Sequence, residues 1–174
     1  MLPLLTRPSD PTALAAVGIV GAVASVIDLR THRVPNALTF SVAAGGLALS
    51  AFRADAVSVP MACLGCLAGL ALMLPGHVLG ATGAGDVKLF AALGTLLGPK
   101  GIAVAWIYTA LVGGLLAGVV AYCRFSLSRT VARTAAIVAT GGANVAEIER
   151  PASNNRFAYA PAIAIGALAV ALGL

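Results

Sequence analysis

The sequence predicts an all-α, polytopic membrane protein with six transmembrane helices. Three observations predict it. Of its 174 residues, 60% are hydrophobic and only 10% are charged, with a mean hydropathy of +0.99. A soluble domain of this length cannot hide that much apolar surface. Small residues dominate and aromatics make up 5%, the profile of helices packed closely in lipid, where small side chains let backbones approach. Finally, the apolar residues gather into six runs, 12–27, 37–52, 56–74, 87–97, 101–123 and 158–174.

Taken in order, run one ends in Asp28 and Arg30 without a small-x-small cleavage site before a soluble domain, so it reads as a helix and not as a cleaved signal. The loop that follows, Leu29–Asn36, is short, and Pro35 suits the first turn of a second helix. Run three carries Cys63 and Cys66 as C-x-x-C, with Cys123 alone at the end of run five. Structural zinc takes four ligands and no second pair exists, so the cysteines read as small apolar residues, and no metal or cofactor is expected. Run four is short. At about 1.5 Å per residue, 87–97 covers roughly half the hydrocarbon core. It reaches spanning length only if 78–85 also lies at membrane depth, where irregular backbone needs a cover of protein or a water-lined cavity. Between runs five and six, Arg129 and Arg133 alternate with Phe125, Val131, Ile137 and Val138. This predicts a helix in the cytoplasmic headgroup layer, within a cytoplasmic loop over 124–157 that turns polar after Gly141-Gly142. Gly65/Gly69 and Gly114/Gly118 have G-x-x-x-G spacing, read as helix packing within the monomer. No internal repeat stands out, and residues 1–174 read as a single membrane-embedded domain.

The charges sort by side. Arg30, Arg33, Lys88, Arg124, Arg129, Arg133, Arg150 and Arg156 fall on one side of the six-run topology, and Arg7, Arg53 and Lys100 on the other. The positive-inside rule makes the richer side cytoplasmic and turns both termini outward. The net charge of +5 is then topology and lipid contact. No basic stripe with interleaved aromatics points to nucleic acid. Four of the six acidic residues are surface charges in this scheme: Asp10 and Asp55 outside, Glu147 and Glu149 in the long loop. Asp28 and Asp86 remain, each at a helix end on the cytoplasmic side and each joined to apolar sequence. A carboxylate at membrane depth is costly and is a functional candidate by default.

Two carboxyls held close share a proton and titrate in two macroscopic steps. The ionised one takes a proton from water while the protonated one donates to a peptide carbonyl, the division of labour of an aspartic protease. Gly83 and Gly85 let the backbone before Asp86 take unusual dihedrals and a substrate strand come near. Phosphate-binding readings of the same segment fail. In Gly80–Asp86 an aspartate replaces the P-loop lysine, and Lys88 holds the place of the third glycine of a dinucleotide fingerprint.

With these residues in view, the chain resembles the type IV prepilin peptidases, intramembrane aspartic proteases with a G-x-G-D motif. The resemblance lies in Asp28, Arg33-Val34-Pro35-Asn36, Gly83-Ala84-Gly85-Asp86-Val87-Lys88, and Ala160-Pro161 opening the last helix, and it spans nearly the whole chain. It implies that Asp28 and Asp86 are catalytic. It also implies a bacterial inner-membrane enzyme that cleaves prepilins, each a basic N-terminal leader followed by a hydrophobic helix, at the cytoplasmic face. Larger relatives carry a cytoplasmic insert with paired C-x-x-C motifs after the first helix and N-methylate the product. Here that loop has no cysteine, so the chain resembles the short, peptidase-only branch serving tight-adherence (Flp-type) pili, with neither zinc nor methyl transfer.

Lys88 has two readings, a charge that tunes the carboxyl pair or holds an acidic substrate side chain, and a snorkelling interfacial lysine. Arg33 marks topology. His32 and His77 are loop residues for which proton relay is the minor reading. The rival class is a small proton-coupled carrier or a non-enzymatic membrane subunit. The lack of an inverted repeat and the placing of both carboxyls at one face count against it.

Overall fold

The computed structural model describes residues 11–31, 33–52, 57–80, 82–123 and 159–174. His32, the charges at Arg7, Asp10, Arg53 and Asp55, and the whole 124–157 connection with its expected interfacial helix lie outside these residues. Within them the chain is all-helical: α1 (Pro11–Thr31), α2 (Asn36–Phe52), α3 (Val59–Val78), α4 (Ala84–Cys123) and α5 (Ala160–Ala171).

Helix α4 contains both runs four and five, broken at Gly98, whose φ of 69° is left-handed. Pro99 follows it. Glycine reaches that conformation without steric cost, and proline cannot donate to the turn before it. A straight helix would hold residues 86 and 113 about 40 Å apart. Yet a Cβ on Gly113 would fall 2.6 Å from the Tyr159 ring, and the same phenol lies within electrostatic reach of Asp86. The chain therefore reverses at Gly98-Pro99, and α4 is two limbs, 84–97 and 99–123.

This changes the reading of the short fourth run. Of residues 78–85, only Ala84 and Gly85 join its helix, while Val78 closes α3, which runs on through Pro75. The first limb instead forms the protein's core. Asp86, Val87 and every residue from 89 to 96 are buried, the all-round burial of a central helix. Around α4 pack α3, α5 and α2, whereas α1 leans on α5 and barely touches α4.

Directions follow from close contacts. Gly65 meets the backbone at Gly94 and Gly69 that at Phe90, so α3 runs antiparallel to the first limb. Asn36 lies by Lys88 and Gly46 by Thr95, so α2 runs parallel to it. Gly166 sits on Ala105 and Thr109, and Gly21 on Ala164, which sets α5 antiparallel to both the second limb and α1. One end of the molecule thus collects the C-termini of α1 and α3 and the N-termini of α2, α4 and α5. Arg30, Arg33 and Lys88 share that end, and Lys100 lies at the other.

Small residues make the closest helix contacts, Leu89, Phe90, Leu93, Ile102 and Ile163 fill the centre, and many other large apolar side chains face outward. Ile19, Leu67, Leu111 and Leu115 are each more than 60% exposed. That pattern suits a lipid surround, in which apolar side chains gain nothing by turning inward and close backbone packing holds helices together. Pro11–Thr31, Val59–Val78 and Ala84–Val119 are long and apolar enough to cross a membrane, and Asn36–Phe52 and Ala160–Ala171 are shorter apolar helices. Runs four and five are the two limbs of α4, so the described residues hold six apolar helical segments in five continuous elements.

The two G-x-x-x-G pairs part company. Gly65 and Gly69 pack against α4, but Gly114 and Gly118 have nothing within 4 Å among the described residues. Among the described residues, packing within the chain accounts for the first pair. Gly65→Ala is expected to destabilise the protein by about 1–3 kcal/mol, since the new methyl meets backbone that cannot yield. Gly114→Ala should stay within about 0.5 kcal/mol of wild type. Thermal unfolding of both variants in one detergent reads the difference.

Candidate active site

Asp28 lies in the last turn of α1 and is 5% exposed; Asp86 lies in the first turn of α4 and is 8% exposed. Each carboxyl is held by the start of a helix. The Asp28 Oδ2 atom accepts a hydrogen bond of 3.0 Å from the N–H of Ala160, the first residue of α5. The Asp86 Oδ2 atom accepts one of 3.2 Å from the N–H of Gly83, which directly precedes α4. Asp86 is the third residue of its helix, and this reach back to the capping residue is one half of a capping box. Asp28 does the same work across the fold, capping a helix 132 residues away. Helix N-termini carry partial positive charge and unsatisfied donors, which offsets part of the cost of burying a carboxylate. The two side chains also lie within electrostatic reach of each other. Both carboxyls thus lie at the same end of the helices.

The glycines earlier assigned to backbone freedom prove to allow close approach. A Cβ on Gly83 would stand 3.1 Å from the Asp86 carboxylate. One on Gly85 would stand 3.1–3.3 Å from the Cβ, carbonyl oxygen and nitrogen of Val34. Gly85 is thus the seat for the Arg33–Asn36 turn, whose Val34 is buried against it at 8% exposure. Pro35 starts α2 by accepting from the N–H groups of Leu38 and Thr39. Arg33 is exposed, and its carbonyl accepts from the Thr31 hydroxyl at 2.9 Å. Lys88 Nζ donates to Asn36 Oδ1 at 2.9 Å, tying the turn to α4. Its established partner is therefore neither aspartate but this amide.

Two residues of the site were not legible as such beforehand. Tyr159 stands immediately before Ala160 and folds over Gly113, with Asp86 in electrostatic reach. Its position next to Ala160-Pro161 was the available signal. Val34 was quoted within its motif, but its place against Gly85 is a matter of packing. Cys63 is exposed and Cys66 half-buried, both as free thiols. Among the described residues, no group of three or more His, Cys, Asp or Glu side chains is placed to hold a metal.

The Lys88–Asn36 bond is testable by a double-mutant cycle. Lys88→Met, Asn36→Ala and the double variant should give a coupling energy below about 1 kcal/mol, the range of exposed polar pairs, measured by chemical unfolding in micelles.

No curated protein and no solved structure gives a match to the chain. The profile of the type IV leader peptidase family does match, over residues 15–118. That stretch runs from α1 into the second limb of α4 and holds both aspartates, the 33–36 turn and the glycine segment. With these residues converging at one end of the helices, the chain belongs to the type IV leader peptidase family, a family of proteases.

Proposed function

We propose that this protein is an intramembrane aspartic endopeptidase that removes the leader peptide of type IV, Flp-type, prepilins at the cytoplasmic face of the bacterial inner membrane. The observation that carries this reading is the pair Asp28 and Asp86. Both are buried, both are anchored on helix N-termini, and they lie within reach of each other at one end of a leader-peptidase chain.

In the reaction, the ionised member of the pair takes a proton from water, and the water oxygen attacks the scissile carbonyl carbon. The protonated member donates to the carbonyl oxygen. The tetrahedral intermediate collapses as the C–N bond breaks and the amine takes a proton. No covalent intermediate with the enzyme forms. Fixed donors from Gly83 and Ala160 hold each carboxyl in place and spare it reorganisation during these transfers.

Membrane crossing follows the charge bias. With Arg30, Arg33 and Lys88 at the carboxyl end, the positive-inside rule turns that end to the cytoplasm. The two limbs of α4 together with α1, α2, α3 and α5 make six apolar segments, which places both chain ends outside. The substrate's hydrophobic helix enters sideways from lipid. A shallow apolar groove between α1 and α5, with Gly18, Gly21, Ala22, Ser25, Pro161 and Ala164 on its walls, leads toward Asp28 and supports that approach.

Asp28→Asn and Asp86→Asn, matched for membrane expression, should each lower prepilin processing by about 10²–10⁴-fold or more, the usual weight of one acid–base group. Each amide oxygen still accepts from Ala160 or Gly83, so folding is retained. Gel-shift processing of a Flp-type prepilin reads the result, and cleavage at wild-type rate by either variant defeats the mechanism. Mass spectrometry of the product formed with S-adenosylmethionine present should show a free, unmethylated N-terminus, since the loop before α2 has no cysteine framework.

A further inference from the structure

The connection between α3 and α4 contains a relay that the two aspartates do not explain. His77 stands in the last turn of α3, and its Nδ1 lies 2.9 Å from the carbonyl oxygen of Thr82. A carbonyl only accepts, so Nδ1 carries the proton in this contact. The peptide that joins Thr82 to Gly83 has that carbonyl at one edge and the Gly83 N–H at the other. The same N–H donates to Asp86 Oδ2 at 3.2 Å. His77 and Asp86 therefore hold opposite edges of one peptide unit.

Two physical consequences follow. The peptide is planar and trans, so its C=O and N–H point in opposite directions, and fixing the carbonyl aims the donor. A hydrogen bond accepted by the carbonyl also polarises the amide and strengthens the bond that its N–H makes. The last turn of α3 also holds Thr82 itself, through the N–H on its other side. The Thr82 N–H donates to the Gly76 carbonyl at 3.2 Å, while Gly80, at φ 73°, turns the chain between them. The glycine segment is in this way referenced to α3, the helix most closely packed on α4.

We propose that His77 is a positioning residue for Asp86, acting through the Thr82–Gly83 peptide by donating from Nδ1, and not as a proton carrier. Its ring makes no hydrogen bond to either aspartate among the described residues. The activity arm of the test depends on the peptidase reading above, and the spectroscopic arm does not.

The experiment compares wild type, His77→Ala and His77→Asn as full chains in lipid nanodiscs. The asparagine amide nitrogen falls where Nδ1 stands, so this variant keeps the donor and removes the ring. Labelling with carbonyl-¹³C threonine and ¹⁵N glycine selects Thr-Gly pairs, of which the chain has two, at Gly83 and Gly141, and Gly141→Ala assigns them. The Gly83 amide proton should move upfield in His77→Ala and return in His77→Asn. In prepilin cleavage, kcat should fall about three- to tenfold in His77→Ala with KM little changed, and recover in His77→Asn, as expected for one weakened hydrogen bond to an acid–base group. A Gly83 amide that is unmoved in His77→Ala overturns the proposal. So does a shift that His77→Asn fails to restore, or a moved resonance with unchanged kcat. If the wild type cleaves no prepilin, the peptidase reading falls, and the resonance alone decides whether His77 aims the Asp86 donor.

Discussion

Two carboxyl groups buried at the same end of an apolar protein set the terms for everything around them. Each must be drawn out of water, and each repels the other when both are charged. The chain answers with the positive ends of two helices. Ala160 opens α5 against Asp28, and Gly83 precedes α4 against Asp86. Contacts of this kind are worth about 0.3–1 kcal/mol at a surface and up to about 2 kcal/mol when partly buried. They do not cancel the burial cost, but they specify where each carboxyl sits. They also dictate the topology. Helices α4 and α5 must both begin at the end where α1 finishes, and the chain between them must turn back at Gly98.

The packing that meets these demands brings helices close at glycine and alanine, around a centre filled by Leu89, Phe90, Leu93, Ile102 and Ile163. Gly65 on Gly94, Gly21 on Ala164 and Gly166 on Ala105 bring backbones together at three interfaces, and Gly46 gives room to the Thr95 side chain. In lipid the large side chains outside that centre gain little by turning inward, and the small ones make the closest contacts. A site built this way is held by backbone against backbone, with little slack. Gly85 shows the same economy inside the site, where the absence of one methyl lets Val34 and the turn before α2 sit beside Asp86.

The two halves of the site are anchored differently. Asp86 belongs to the tightly packed body, with the loop before it pinned to α3 through Gly76 and His77. Asp28 is on α1, which is attached mainly through α5. The Asp28–Ala160 bond is thus both part of the site and part of what keeps α1 in place. Of the helices around α4, α1 is the one with the fewest direct ties to it.

The sequence by itself determined the all-α class and the apolar segments, and it singled out the two aspartates. Hydropathy located the apolar runs because lipid demands long apolar helices. The scarcity of acidic residues made Asp28 and Asp86 conspicuous, and the sorting of Arg30, Arg33 and Lys88 away from Lys100 placed them at one end. What sequence could not reach was anything set by approach between distant segments. The short run 87–97 read as a span in need of extension, yet it is the buried centre of the bundle, a distinction that depends on neighbours and not on composition. Gly65/Gly69 and Gly114/Gly118 share one spacing, but among the described residues only the first pair meets another helix. Neither sequence reading of Lys88, a charge beside the carboxyl pair or a snorkelling lysine, points to its bond with Asn36, and Tyr159, Val34 and the Ala160 N–H entered the site only through folding. Periodicity and charge are local or one-dimensional quantities. Which backbone donor faces which carboxyl is decided by helix directions and sub-ångström packing, and those exist only once the chain has closed on itself.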